Sequence, residues 1–257
     1  MTVFQQDGYD LRLEWGLDGV AALGEACAVL VVVDVLVFTT SVDIVLGRGG
    51  RVLPLAWRDD RAQEAARAAG ATLTPSGLTG IEGDHPAGIV ADRTTGPTLR
   101  PSSLVALPAG EFLGISSPNG ATLSAAAAKT GATVFAGCLR NASAVAAAAM
   151  AAADGRPIGV LPAGERWRTK EDKPLRPSIE DWLGAGAICA ALNGTRSPEA
   201  DLAATSFLAV RDRIGQVLTD SVSGRELFAA GVPDDVALAS DVDASTAAPR
   251  LRDGVFG

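Results

Sequence analysis

One aspartate interrupts the most apolar stretch of the chain. Asp34 follows the run Val29–Val33, and further apolar residues separate it from the hydroxyl cluster Thr39, Thr40 and Ser41. A carboxylate in such a run is costly to bury unless it is paired, hydrogen-bonded or bound to a metal. Ser and Thr favour helix N-termini, where exposed backbone N–H groups attract anions. The stretch therefore predicts either an anion or metal site or, alternatively, a strand-end aspartate that caps a neighbouring turn.

Two later stretches repeat the order of predicted strand, polar turn and helix. Phe112–Ser116 precedes one polar turn, and Thr133–Ala136 precedes the other. In open α/β sheets, ligands bind at the carboxyl ends of strands, where such turns lie. Simple N-capping would explain each turn alone, but three on neighbouring strands predict a pocket for phosphate or sulfonate. Its predicted members are Thr39, Thr40, Ser41, Ser117, Asn119, Gly120, Arg140 and Asn141.

Acidic residues later in the chain supply a candidate metal and proton-transfer set. Ser178 and Asp181 have the spacing of a helix capping box, which is the structural interpretation. Alternatively, Asp34, Glu180 and Asp181 provide the hard oxygen ligands that Mg²⁺ prefers, with room left for a substrate phosphate.

Alternating strands and helices must position these groups. Their order predicts a layered α/β/α fold with a largely parallel or mixed central sheet. We expect a single domain over residues 1–257, with an irregular excursion at about 71–111. The elements predicted with definite bounds include helices over Ser41–Arg48, Ala142–Ala153 and Glu199–Leu218, and a last strand over Val236–Ala239.

Composition limits the partners. A net charge of -8 argues against a nucleic-acid binder, which usually presents a basic face. No apolar run approaches the roughly 18 residues that a membrane span needs, and no signal peptide is recognisable at the N-terminus. The three cysteines are far apart, which indicates neither a disulfide framework nor a metal site and favours a cytoplasmic location. The predicted partner is a small phosphorylated or sulfonated acid; the sequence leaves open whether the chain forms a homo-oligomer.

Several segments together resemble a known family. They are VVVDVLVFTTS, SSPNGATL, GCLRNASAVA, VLPAGE, PSIEDWLGAGAI, SVSGRELFAAGVPDDVALASDVD and PRLRDG. In this order they resemble the 2-phosphosulfolactate phosphatases (ComB), Mg²⁺-dependent enzymes of coenzyme M biosynthesis. The resemblance implies metal-assisted hydrolysis of the phosphate monoester 2-phosphosulfolactate to sulfolactate and phosphate, on that family's own layered α/β fold. On this hypothesis the catalytic residues are Asp34, Glu165 and Asp181 and the cofactor is Mg²⁺, with Asp34 either binding the metal or acting as the nucleophile.

The chain is a divergent member by this resemblance. Family members usually read Asp-Val-Leu-Arg-Ala-Thr at the first motif, whereas Val37 and Phe38 replace the Arg-Ala pair here. An arginine fork matches the oxygens of phosphate or sulfonate, and valine cannot replace it. Arg140 stands where an uncharged residue is expected, so it is predicted to supply the missing cation. A Gly-Glu-Arg-Gly-type segment is reduced to Ala91-Asp92-Arg93-Thr94.

Three other interpretations compete with the phosphatase. A degenerate relative would bind a small anion without turnover, and the loss at Val37 favours it. An isochorismatase-like hydrolase would use Cys138 as the nucleophile, although a lone cysteine at such a junction usually belongs to the core. Haloacid-dehalogenase phosphatases need a second aspartate where this chain has Leu36. The single histidine, His85, lies in the predicted excursion and is expected to be incidental.

Overall fold

The computed structural model describes residues 3–76, 78–80, 89–91, 96–167 and 171–257. The strands are β1 (Leu11–Leu13), β2 (Val29–Val33), β3 (Arg51–Leu55), β4 (Thr72–Leu73), β5 (Leu78–Gly80), β6 (Ile89–Ala91), β7 (Phe112–Ser116), β8 (Thr133–Gly137), β9 (Ile158–Pro162), β10 (Glu165–Arg166), β11 (Leu175–Arg176), β12 (Arg250–Arg252) and β13 (Val255–Phe256). The α-helices are α1 (Gly16–Leu23), α2 (Phe38–Gly47), α3 (Asp60–Ala69), α4 (Pro101–Leu104), α5 (Gly120–Ala127), α6 (Ala142–Ala153), α7 (Ile179–Ala191), α8 (Pro198–Val210), α9 (Ile214–Asp220), α10 (Val222–Ala229) and α11 (Pro233–Ala239).

Within these residues, nine strands form one mixed sheet in the order β1-β9-β2-β8-β12-β13-β3-β7-β4. The strands β1, β9, β2 and β8 pair in parallel, and so do β3, β7 and β4. The antiparallel hairpin β12–β13 lies between these two groups. The predicted layered α/β fold with a largely parallel or mixed sheet is therefore confirmed.

Both faces of β2 are covered. Val29, Val31 and Val33 belong to one hydrophobic cluster, which includes residues of α6 and α7. Leu30 and Val32 belong to a second cluster, which includes residues of α1 and α5. Because successive side chains of a strand point to opposite faces, the continuous apolar run reflects burial on both sides. This double burial places Asp34, the next residue after Val33, inside the protein.

The predicted last strand is wrong. Val236–Ala239 lies within α11, which begins with Pro233 at its first position and has Asp234 and Asp235 in its first turn. Proline and acidic residues both favour a helix N-terminus. The last strands are instead β12 and β13, joined by Asp253 and Gly254, both with positive φ. An Asp-Gly pair of this kind usually indicates a tight hairpin, so the sequence alone could have predicted this one.

The predicted long helix Glu199–Leu218 is also wrong. The chain forms α8, then a 3-10 turn over Arg211–Arg213, and then α9. The turn redirects the chain so that Ile214 and Leu218 are buried in the main core.

The predicted excursion at 71–111 contains regular elements in its described part. These are β4, the antiparallel pair β5–β6, and α4. His85 and most of Ala91-Asp92-Arg93-Thr94 lie outside the described residues. Among the helices that the structure describes, none is long and apolar enough to cross a membrane.

Candidate functional site

Asp34 lies where β2 ends, and its carboxylate is held by the loop that follows β7. Its Oδ2 accepts hydrogen bonds from the backbone N–H of Gly120 at 2.7 Å and from the Ser117 hydroxyl at 3.3 Å. Among the described residues, its Oδ1 accepts one long bond, 3.4 Å, from the N–H of Phe38. The carboxylate is thus fixed in orientation, with Oδ1 the less engaged oxygen. Of the predicted anion-binding residues, the structure brings Ser117 and Gly120 to Asp34.

This close approach requires glycine at position 120. A Cβ there would lie 2.4 Å from Cδ1 of Phe38 and 2.6 Å from Oδ2 of Asp34. Asn119, the preceding residue, donates its N–H to the Ser117 hydroxyl. The buried Oδ1 of Asn119 has no hydrogen-bond partner among the described residues. The β7–α5 turn is therefore built around the carboxylate of Asp34 rather than around its own capping.

The pKa of the Asp34 carboxyl is higher than that of an ordinary aspartate. Burial, followed by the negative charge of Glu165, raises the pKa of Asp34 from 3.8 to about 7, although the bonds from Gly120, Phe38 and Ser117 act against this rise. Glu165 begins β10, just after β9, and is half-buried. Because the negative charges of Asp34 and Glu165 repel each other, the site favours a bound cation.

Asp181 links three segments from the interior. Its Oδ1 accepts the N–H of Val35 at 2.7 Å, and its Oδ2 accepts the N–H of Gly164 and the hydroxyl of Ser178, both at 2.9 Å. Burial and the charges of Asp34 and Glu180 raise its pKa well above the usual value. The predicted capping box is wrong in detail, because the Ser178 hydroxyl donates to Asp181 and makes no cap. With both oxygens bonded to protein donors, Asp181 holds the ends of β2 and β9 in place, and its roles as a metal ligand and catalytic residue stay predictions.

Glu180 lies beside Glu165 in the interior. Its side chain is 2 % exposed, and Oε2 has no hydrogen-bond partner in the part of the chain that the structure describes. Burial raises the pKa of Glu180, and the charge of Glu165 adds to this effect while Ser223 and Arg176 oppose it. Asp34, Glu165, Glu180 and Asp181 thus form one acidic group in which each charge influences a neighbour.

The hydroxyls of Thr39, Thr40 and Ser41 do not face this site. Helix α2 begins at Phe38, earlier than predicted, so these residues occupy its first turn with no exposed surface. The Thr39 hydroxyl bonds the N–H and C=O of Asp34, Thr40 donates to the C=O of Val35, and Ser41 donates to the C=O of Leu99. Their predicted role as phosphate ligands is therefore corrected: they anchor the backbone beside Asp34.

The side chains of Arg140 and Asn141 also bond to partners other than Asp34. The Arg140 guanidinium pairs with Asp43 at 3.0 Å and with Asp241 at 3.3 Å, and it donates to the C=O of Leu238. The Asn141 side-chain oxygen accepts the N–H of Cys138 and closes the turn after β8. The predictions that Arg140 replaces the missing cation and that Asn141 binds phosphate are corrected, since both side chains have structural partners.

We expect Arg140→Ala to lower the free energy of unfolding by about 3 kcal/mol, because it strands a buried carboxylate. Asp43 is 1 % exposed, and its Oδ1 already has no partner. Urea denaturation measures the effect. Arg61→Ala is the control, because it breaks an exposed pair with Asp59 and should cost less than about 1 kcal/mol. Equal losses in the two variants would contradict the structural role of Arg140.

Arg58 is charged, acts electrostatically on this site and is absent from the predicted site residues. It lies in the loop between β3 and α3, and its charge interacts with Glu165 and Asp34. An arginine in an exposed, charge-rich stretch gives no signal of its own. The parallel pairing of β3 with β7 brings the carboxyl ends of these two strands together, and only this pairing would have indicated Arg58.

A protein-family model described as 2-phosphosulpholactate phosphatase matches residues 92–254. This range covers more than half of the 257 residues. The chain belongs to this family. A comparison with curated proteins gave no match. The family name implies a phosphatase, and the matched range includes Ser117, Gly120 and Glu165, whereas Asp34 and Arg58 precede it.

Val37, where the family resemblance predicts arginine, is part of the hydrophobic core. It is 6 % exposed and belongs to the same cluster as Val35 and Phe38. It therefore contributes no charge to the site. Any cation that serves this family member must come from another segment.

Membership of a phosphatase family suggests a metal cofactor, which would need ligands from the side chains of this chain. In the described part of the chain, no group of three or more His, Cys, Asp or Glu could hold a metal ion. The predicted trio Asp34, Glu180 and Asp181 therefore does not form a closed metal cage. Mg²⁺ commonly takes only one or two carboxylates and completes its shell with water and substrate oxygens. Asp34, with its less engaged Oδ1 and the repelling charge of Glu165 beside it, fits a cation of that kind.

The isochorismatase-like alternative fails at Cys138. The thiol is fully buried, and burial with the charge of Asp43 raises its pKa to about 12. A thiolate is the nucleophilic form, so this cysteine is inert at neutral pH.

We expect Cys138→Ala to keep the turnover of the wild type within about twofold, at a stability cost of about 1 kcal/mol. Alkylation of the folded protein should likewise leave turnover intact, because Cys27, Cys138 and Cys189 are all buried. Alkylation in guanidinium is the control and should modify all three. Loss of turnover in a folded Cys138→Ala variant would contradict this prediction.

Proposed function

We propose that this chain is a Mg²⁺-dependent phosphate-monoester hydrolase that acts on 2-phosphosulfolactate or a closely related small phosphorylated acid. The observation that carries the proposal is the buried carboxylate of Asp34, fixed by Gly120 and Ser117 and crowded by Glu165. Membership of a phosphatase family supports the reaction class.

Each side chain has a distinct part in this proposal. Asp34 would hold Mg²⁺ through its less engaged oxygen, and the ion, when bound, would neutralise charge on the phosphate. Ser117 and the N–H of Gly120 keep the carboxylate in place. Glu165 is half-buried while Asp34, Glu180 and Asp181 are buried, so it has access to a water molecule and would take its proton at a carboxylate oxygen. Phosphoryl transfer needs mainly positioning and charge stabilisation, so this small set suffices.

The test is phosphate release from a panel of monoesters that includes 2-phosphosulfolactate and 4-nitrophenyl phosphate, with Mg²⁺ and with chelator. We expect release only with Mg²⁺, and a loss of about 10²-fold or more in Glu165→Gln. Asp201→Asn, an exposed acid on α8, is the matched control and should be unchanged.

The alternative is a family member that binds a small anion without turnover, which Val37 favours. Calorimetric binding of an ester that is never hydrolysed, with or without Mg²⁺, would support that alternative and overturn the hydrolase.

A further inference from the structure

Arg58 is placed at the site by the ends of two paired strands. β3 and β7 are parallel with Leu55 opposite Ser116, and the N–H of Ser117 donates to the C=O of Leu55 at 3.2 Å. Ser117 in turn bonds Asp34 through its hydroxyl. The loop that leaves Leu55 therefore begins beside the residue that holds the carboxylate of Asp34, and Arg58 lies in that loop.

The guanidinium of Arg58 has no ion pair or hydrogen bond in the part of the chain that the structure describes. The nearest carboxylate in sequence, Asp59, is occupied: Arg61 donates to both of its oxygens at 2.6 to 3.1 Å. Asp59 also caps α3 by accepting the N–H of Arg61. Asp59 is therefore not available as a partner for Arg58.

Arg58 nevertheless interacts with the acidic group of the site. Surrounding protein atoms desolvate the guanidinium and lower its pKa, whereas the charges of Glu165 and then Asp34 act in the opposite direction. Glu165 and Asp34 thus attract Arg58 without a direct ion pair among the described residues. An oxyanion of phosphate size, held also through a metal at Asp34, would link these charges and give the arginine fork its partner.

We propose that Arg58 binds the phosphoryl or sulfonate oxygens of the substrate and so supplies, from the β3–α3 loop, the cation that is absent at Val37. This inference rests on the proposed function, because it assigns the residue that holds the substrate of that same site.

The test is calorimetric binding of inorganic phosphate, in buffer with Mg²⁺, to the wild type and to Arg58→Ala, Arg58→Lys and Arg67→Ala. Arg67 is an exposed arginine in the last turn of α3, so its removal changes the net charge equally. We expect Arg58→Ala to weaken binding tenfold or more, Arg58→Lys to weaken it less, and Arg67→Ala to stay within twofold. Thermal unfolding verifies that the variants are folded.

Two results would overturn the proposal: wild-type phosphate binding that Arg58→Ala leaves within twofold, or no phosphate binding by the wild type at millimolar concentration. The proposed hydrolase activity is tested independently of the role of Arg58. Turnover that is insensitive to Arg58 would refute only the role of Arg58, whereas Arg58-dependent binding without hydrolysis of any ester would refute only the hydrolase.

Discussion

Asp34→Asn is expected to abolish phosphate release and, at the same time, to stabilise the protein at pH 8. The catalytic loss, at least about 10²-fold, follows because the neutral amide cannot hold Mg²⁺ or compensate its charge. Phosphate release with 2-phosphosulfolactate measures it, with Asp201→Asn as the control. Turnover near the wild-type rate in Asp34→Asn would remove Asp34 from the mechanism.

The gain in stability has a definite dependence on pH. Asp34 has a pKa of about 7 in the folded protein, against 3.8 as the ordinary value. Because the folded state binds the proton more tightly, this stabilising contribution is fully present below about pH 4 and is lost as the pH rises through about 7. At pH 8 the wild type must keep a buried, crowded carboxylate ionised, and Asn removes that cost.

We expect the gain at pH 8 to be of the order of 2 kcal/mol, since each pKa unit corresponds to about 1.4 kcal/mol and the amide does not keep every hydrogen bond of Asp34. Urea denaturation with chelator present, at pH 5 and pH 8, measures it for both proteins. The difference between variant and wild type should be larger at pH 8. An equal difference at the two pH values would show that folding does not raise the pKa of Asp34.

Gly120→Ala is the second change with a large expected effect. The new Cβ would lie 2.4 Å from Phe38 and 2.6 Å from Asp34 Oδ2, which is closer than any real contact. Phe38 cannot yield easily, because it is 1 % exposed and packs edge-on against Phe256 at 6.4 Å. We expect a loss of about 2–3 kcal/mol of stability and about 10²-fold in turnover, because the 2.7 Å bond to Asp34 must lengthen.

The control for Gly120→Ala is Gly215→Ala. Both glycines lie in the first turn of a helix, but the nearest atom to a Cβ at 215 is 3.8 Å away, an ordinary contact. This control should be neutral or stabilise the protein by up to about 1 kcal/mol. Urea denaturation and phosphate release would be compared for the two variants. Similar behaviour of both would mean that the β7–α5 turn does not depend on close contact with Asp34.

Some of this protein was determined by the sequence alone. The residues of β7 (Phe112–Ser116) and α6 (Ala142–Ala153) were predicted with their observed bounds, because local apolar patterns and turn residues specify such elements. The double-faced apolar run likewise indicated a buried strand before Asp34. The ordered motifs indicated the family.

The tertiary structure decided which polar groups share the site. Thr39, Thr40 and Ser41 are nearest to Asp34 in sequence, yet they bond backbone carbonyls, because α2 begins earlier than the hydroxyls suggested. Ser117 and Gly120 reach Asp34 from a distant strand. Arg140, and not Arg58, stood in a recognised motif. However, Arg140 is paired with Asp43, whereas Arg58 has no ion pair within the described residues and is influenced by the charges of Glu165 and Asp34.

The physical reason is the range of the interactions. Periodicity, capping and turn chemistry act over a few residues and are legible in a single chain. The partner of a carboxylate depends on which strand ends meet, and here a C-terminal hairpin lies between β8 and β3 in the sheet. The sequence thus determined that Asp34 is a buried carboxylate at the end of β2. Only the tertiary structure decided that Gly120 and Ser117 hold this carboxylate and that the charges of Glu165 and Arg58 act on it.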